Sequence, residues 1–196
     1  MIKREIGEGK IFVVTGPSGS GKTTLRNILL KDKVLKDKFV KSISLTTRKP
    51  RFNEINGKDY FFISEASFNR QKRDKKILEW TRYLGYYYAT PKAFVEASLR
   101  QGKSIFLCLD LKGALRLKKL YANKTVAIFI LPPSIEVLKK RIEGRCNKTK
   151  KNEIINRLKL AKKELLFAKK FDYAILNTNL SQAKIALKKI LLKELY

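Results

Sequence analysis

The 196-residue chain contains no histidine. That excludes imidazole acid–base catalysis and histidine-ligated metal centres. Its two cysteines, Cys108 and Cys146, are too few for a disulfide framework or a cysteine-built metal site. No stretch approaches the ~18 apolar residues that a membrane span needs. The N-terminal Met1-Ile2-Lys3-Arg4-Glu5 lacks the apolar core of a signal peptide. Together these absences lead to the expectation of a cytoplasmic protein with no membrane partner. Acidic residues are scarce as well: 17 Asp and Glu stand against 45 Lys and Arg, a net charge of +28. Such a charge suits a phosphate-rich partner, for example RNA, DNA or an anionic membrane. The lysines, however, run along the whole chain instead of forming blocks, and no RNA-binding signature accompanies them. They are read as solvated faces, and a nucleic-acid partner is not expected. A basic chain should still draw in anionic nucleotides, with an on-rate that falls with salt.

What is present is more specific. Gly16-Pro17-Ser18-Gly19-Ser20-Gly21-Lys22-Thr23 fits the phosphate-loop pattern G-x-x-x-x-G-K-[ST] at every fixed position. The apolar, β-branched run Ile11-Phe12-Val13-Val14 before it predicts a buried parallel strand. Leu25, Ile28 and Leu29 after it recur at helical spacing. The glycines let the backbone curl its N–H groups inward around phosphate oxygens, and the helix N-terminus adds partial positive charge. Lys22 can then reach the β- and γ-phosphates, while the Thr23 hydroxyl can hold Mg²⁺. A nucleoside triphosphate is the expected ligand.

The rest of the chain shows neither internal repeats nor low-complexity segments. Phe39 to Ser44 is predicted as a second strand. It leads into Ser44-Leu45-Thr46-Thr47-Arg48-Lys49-Pro50-Arg51, where two arginines three apart can act as forks for a phosphate or form an exposed basic turn. Gly57 to Ile63 is read as an aromatic-rich strand, Ser64 as the cap of a short helix carrying Phe68, and Ile77–Thr81 and Tyr86–Tyr88 as short strands turned at Gly85. Thr90 is read as the cap of the next helix, with Pro91 in its first turn. Ser104 to Asp110 is an apolar strand ending in a carboxylate, the arrangement that sets an acid beside a nucleotide-bound metal. Val126 to Leu131 and Phe171 to Leu176 are further buried strands. A helix beginning near Ser181 closes the chain.

Residues 44–60, with Ser44-Leu45-Thr46-Thr47-Arg48-Lys49-Pro50-Arg51, Glu54, Gly57 and Asp59-Tyr60, resemble the signature segment of guanylate kinases. Leu78-Glu79-Trp80 followed by Gly85 and Tyr88 adds to that resemblance, as does Asp110 followed by Gly113-Ala114. It extends from the phosphate loop to Asn177. Three positions depart from the family pattern: Cys108 replaces an acid, Lys112 a common glutamine and Cys146 a glycine.

The resemblance implies a phosphate-loop α/β fold, three layers with a parallel core sheet. A small mixed or antiparallel GMP-binding lobe over about 41–90 and a helical lid over about 141–169 are set on a core of about 1–40, 91–140 and 170–196. It implies transfer of a phosphoryl group from ATP to GMP, giving ADP and GDP, with Mg²⁺ accompanying ATP, in purine nucleotide metabolism. Lys22, Arg141, Arg145 and Arg157 match the catalytic positions. Gly16, Pro17, Ser18, Gly19, Ser20, Gly21, Lys22, Thr23, Thr24 and Asn177 match the ATP side. On the GMP side, Arg48, Arg51, Tyr60 and Tyr88 match phosphate-binding positions, and Ser44, Glu79 and Thr90 match guanine-binding ones. Asp110 would face both GMP and metal, sharing the metal with Thr23. Without a triphosphate, Arg141, Arg145 and Arg157 should repel one another and Lys148, Lys150 and Lys151, holding the lid open until phosphate arrives. A related scaffold that binds phosphopeptides without catalysis is the alternative, but such domains lack a working phosphate loop, and here Gly16, Gly21, Lys22 and Thr23 are all in place. A nucleic-acid-binding side activity resting on the net charge is a second alternative.

Overall fold

The computed structural model describes residues 9–144 and 151–196. Arg145, Cys146, Lys148 and Lys150 lie outside the described residues. In chain order, β1 (Ile11–Thr15) leads through the phosphate loop into α1 (Lys22–Leu29). The short strands β2 (Phe39–Lys41), β3 (Leu45–Thr46) and β4 (Phe61–Phe62) come next, then α2 (Glu65–Arg73) and the hairpin β5 (Ile77–Tyr83) and β6 (Tyr86–Pro91). After α3 (Lys92–Arg100), β7 (Ser104–Cys108), α4 (Leu111–Leu120) and β8 (Thr125–Leu131) come α5 (Ile135–Glu143) and α6 (Lys151–Leu165), and β9 (Tyr173–Leu176) and α7 (Leu180–Leu195) end the chain.

The main sheet has the order β2-β7-β1-β8-β9 with every pair parallel. A parallel sheet needs cover on both faces, so its strands are apolar throughout rather than alternating. All five residues of β1 are buried. Phe12 and Val14 point into a core shared with Leu25 and Leu29 of α1 and Ala183, Leu187 and Leu191 of α7. Ile11 and Val13 point the other way, toward Val95 and Leu99 of α3 and Ala114 and Leu117 of α4. This is the predicted three-layer α/β fold.

A second sheet, β4-β3-β6-β5, stands beside it. Its pairings are antiparallel for β3–β6 and β5–β6 but parallel for β3–β4. It has its own small core, in which Phe68 of α2 is fully buried, stacked on Tyr87 at 4.5 Å between ring centres and set edge-on to Trp80 at 6.0 Å. Ser64 caps α2 as expected, its hydroxyl accepting from the Ser67 amide. Leu84 and Gly85, both at positive φ, make the tight β5–β6 turn.

Several boundaries differ from the expectation. The strand predicted over 39–44 stops at Lys41, and the one predicted over 57–63 shrinks to Phe61–Phe62. Asn56 to Tyr60 is instead held as a loop, with the Asp59 carboxylate accepting from the Ile55 amide and Gly57 at positive φ. The strand predicted to end at Asp110 ends at Cys108, because Asp110 caps α4, its Oδ1 accepting from the Gly113 amide at 2.8 Å. Thr90 does not cap α3. It lies within β6, Pro91 occupies the cap position without a side-chain bond, and the Thr90 hydroxyl is spent on Glu79.

Candidate active site

The phosphate loop spans the turn from β1 to α1. Gly16 and Gly21 both have positive φ, and both are crowded. A Cβ at Gly16 would lie 2.3 Å from the Ile130 carbonyl oxygen, and one at Gly21 2.3 Å from the Asn177 amide nitrogen. Only glycine meets both demands. The first turn of α1 has no side-chain cap and no acid, so its N–H groups and dipole are left for an anion. The Lys22 ammonium folds back over the loop, donating to the carbonyls of Gly16 at 2.5 Å and Pro17 at 2.8 Å.

One continuous cleft opens from this loop toward the second sheet. It brings together Gly16, Ser18, Gly19, Gly21, Lys22 and Thr23 on one side with Ser44, Arg48, Arg51, Tyr60, Glu79 and Tyr88 on the other, and Asp110 and Arg157 between. At the far end a second anion site is prepared. Arg48, nine-tenths buried, donates from Nε to the Tyr88 hydroxyl at 3.1 Å and from Nη2 to both Glu54 oxygens. Burial works against its charge, yet the bonds to Glu54 and Tyr88 leave it above the usual arginine value. The Tyr60 ring lies under the guanidinium at 5.6 Å, and burial pushes the Tyr60 phenol up. Arg51 approaches the same Glu54 carboxylate at 3.9 Å.

Glu79 is the most confined charge carrier in the cleft, 2% exposed. Its Oε1 accepts the Thr90 hydroxyl at 2.6 Å, while Oε2 is buried with no partner among the described residues. Burial pushes the carboxyl up to about 7, against the pull of the Thr90 bond and with a contribution from Asp110. One acceptor is therefore occupied and one is unspent, a high-energy arrangement that a ligand offering N–H groups would relieve. Asp110 receives the Thr81 hydroxyl on Oδ2 at 2.9 Å in addition to capping α4.

Of the arginines expected to act together, Arg157 and Arg141 line two hollows that share Gly19 and Gly21. Arg157 lies in the main cleft, donating from Nη1 to the Ser18 hydroxyl at 3.1 Å. Arg141 lies in a second hollow with Gly19, Gly21, Thr24, Asn177 and Leu180, and donates to the Asn177 carbonyl. Arg145 falls outside the described residues. The expected repulsion around Arg157 is met within its own helix, since Glu153, one turn earlier, takes bonds from both Nε and Nη2. Asn177 braces the phosphate loop, its amide donating to the Ser20 carbonyl at 2.7 Å. Pro17 and Ser20 shape the loop through their backbones, and Thr90 acts on the cleft through Glu79.

Reading the sequence gave no site role to Arg26, Glu54, Thr81, Tyr83 and Glu164, all of which line the cleft. Strand parity with Glu79 marks Thr81 and Tyr83, and helix spacing of four from Lys22 and seven from Arg157 marks Arg26 and Glu164. Glu164 is 5% exposed, and burial pushes it up to about 7 despite Lys22 nearby. Cys108, at the end of β7, is a half-buried thiol whose pKa is pushed up by its removal from water.

A phosphate loop at the carboxyl end of a parallel sheet, facing a second anion site across one cleft, defines a phosphotransferase that takes two phosphorylated substrates. The guanylate kinase family model matches residues 8–194. The chain is 43% identical over 193 residues to a guanylate kinase of Mycoplasma mobile, covering 96% of this chain and 94% of that one. A guanylate kinase of Thermotoga maritima is 43% identical over 176 residues, covering 90% of this chain and 83% of that one. The solved guanylate kinase of Anaplasma phagocytophilum superposes with a TM-score of 0.80 at 31% identity, over 96% of this chain and 87% of that one. The chain belongs to the guanylate kinase family.

Proposed function

We propose that this cleft transfers the γ-phosphoryl group of ATP in line to the phosphate of GMP, yielding ADP and GDP. The observation that carries the proposal is Glu79. A buried carboxylate with one oxygen unspent is the acceptor that guanine's adjacent N1–H and N2 amine require, and adenine offers neither donor there. Ser44 lines the same end of the cleft, and Thr90 holds the other oxygen of Glu79 in place. Arg48, Arg51, Tyr60 and Tyr88 would receive the monophosphate, with Glu54 orienting both arginines.

The phosphate loop from Gly16 to Thr24 would receive the ATP phosphates. The hollow lined by Arg141, Asn177 and Leu180 beside the loop would receive its adenosine end. Lys22 and Arg157 would neutralise charge on the transferring group, joined by Arg141 and Arg145 of the lid. Thr23 and Asp110 supply hard oxygen ligands within the cleft, and no group of three His, Cys, Asp or Glu suited to a metal occurs among the described residues. That donor set fits an ion that takes most of its ligands from phosphate and water, as Mg²⁺ does. Thr23 and Asp110 would hold Mg²⁺, which supplies charge neutralisation across the phosphate oxygens. No general base is required, because the attacking phosphate is already anionic near neutral pH.

The same reading divides the chain into a core, a GMP-binding lobe over about 41–90 and a lid over about 141–169, and places the activity in purine nucleotide metabolism in the cytoplasm. No described helix is long and apolar enough to cross a membrane. A coupled assay with ATP, Mg²⁺ and each of GMP, AMP, UMP and dTMP tests the proposal. GMP should be preferred over AMP by roughly 10⁴-fold in kcat/KM, the scale on which a site built for hydrogen-bond donors rejects an analogue lacking them. Comparable turnover of AMP would remove Glu79 as the reader of the base.

A further inference from the structure

We propose that the Tyr83 hydroxyl donates a hydrogen bond to the phosphoryl group as it passes between the two nucleotides. The inference rests on the phosphoryl-transfer reading above and adds a residue to it.

Position comes first. Successive side chains of a strand alternate in direction, so Glu79, Thr81 and Tyr83 share one side of β5, and all three line the cleft. The strand thus serves as a ruler. Glu79 stands at the base end. Thr81 pairs in register with Tyr88, whose phenol is bonded to Arg48 in the monophosphate site. Tyr83 is one same-side step further, about 7 Å along the strand. The charged and titratable groups near enough to act on it are Glu164 and Arg157 of α6, Tyr88 of β6 and Asp110, the cap of α4. Arg157 in turn touches Ser18 of the phosphate loop. The Tyr83 phenol thus lies between the site prepared for the acceptor phosphate and the site prepared for the donor.

The state of the hydroxyl comes second. The ring is held edge-on to Tyr88 at 6.4 Å between centres, but the hydroxyl has no hydrogen-bond partner among the described residues. Burial, followed by Glu164, pushes the phenol up to about 12, so it keeps its proton throughout the neutral range. A neutral donor left unspent in a charged cleft is suited to a group that gathers negative charge only in passage.

The step itself balances without a proton from Tyr83. A GMP phosphate oxygen forms a bond to the γ-phosphorus, the bond from that phosphorus to the β,γ-bridging oxygen breaks, and the electron pair leaves with ADP. The charge spread over the three equatorial oxygens is what the Tyr83 O–H meets. Because the contact strengthens in the transition state, it should appear in the rate of transfer and not in substrate affinity.

Tyr83→Phe tests this, since it keeps the ring against Tyr88 and removes an oxygen that holds nothing in the fold. Single-turnover transfer should slow at least tenfold, with binding of ADP alone and of GMP alone within twofold of the parent. Calorimetric binding of the joint ADP, aluminium fluoride, Mg²⁺ and GMP assembly should weaken by the same factor as the rate, and the melting temperature should not fall. A variant that transfers as fast as an active parent, or one that loses only GMP affinity, overturns the role of Tyr83 and leaves the phosphoryl-transfer reading standing. A parent that moves no phosphate from ATP to GMP overturns both.

Discussion

At the scale of single residues, the cleft's character comes from carboxylates kept from water. Glu79 has a folded value of about 7 against 4.5 for an ordinary glutamate, and burial is the main cause. Its folded value lies above its unfolded one, so the protonated form is the one that folding favours. That contribution is complete below about pH 4.5 and is lost as pH rises through about 7. Thermal melts of the free protein should therefore show Glu79→Gln gaining on the parent as pH rises from about 5 to about 8. Guanine needs the ionised form, so the parent's GMP affinity relative to that of Glu79→Gln should fall as pH drops below about 7. A ratio that does not change with pH would mean Glu79 does not titrate at the base. These environments were only partly legible in the sequence. Arg48, Tyr60 and Tyr88 could be read as one phosphate site from the resemblance, whereas Glu54, though it stands in the same signature segment, shows no periodicity that would betray its orienting of Arg48 across the loop.

At the scale of elements, α2 and the hairpin β5–β6 form a unit whose core is separate from the two cores of the main sheet. Phe68 is its keystone, fully buried between Tyr87 and Trp80. Phe68→Ala should cost about 3–5 kcal/mol, and the loss should fall on the lobe first. Native-state hydrogen exchange is the measurement: residues 65–91 should exchange faster while β1, β7 and β8 keep their protection. Uniform acceleration across both sheets would show one cooperative unit instead. The parallel strands were legible because burial on both faces leaves continuous apolar runs such as Ile11–Val14 and Val126–Leu131. The lobe was less so. Its strands β3 and β4 are two residues each, held by pairing across the chain and not by local propensity, and Thr90 was misread as a cap because its hydroxyl serves Glu79 eleven positions away.

For the molecule as a whole, the excess of positive charge runs along the entire chain, and the ion pairs among the described residues are mostly solvated ones such as Lys92–Glu96, each worth little on its own. The consequence belongs to encounter rather than to fold. The association rate of ATP or GMP should fall roughly three- to tenfold between about 20 and about 200 mM KCl, with single-turnover transfer from the bound complex unchanged. Stopped-flow association with a fluorescent GMP analogue would measure this, and a rate indifferent to salt would leave the charge without a role in capture. One small feature limits how such a molecule could be given a new substrate. A Cβ at Gly113 would stand 2.7 Å from Glu79 Oε2 and 3.1 Å from Asp110 Oδ1. The residue proposed to select the base and the residue proposed to hold the metal are therefore fitted against the same bare turn of α4. A redesign for another base cannot treat position 79 as an independent dial. Any bulkier replacement there pushes on position 113 and through it on Asp110, so altered specificity and retained turnover must be engineered as one problem.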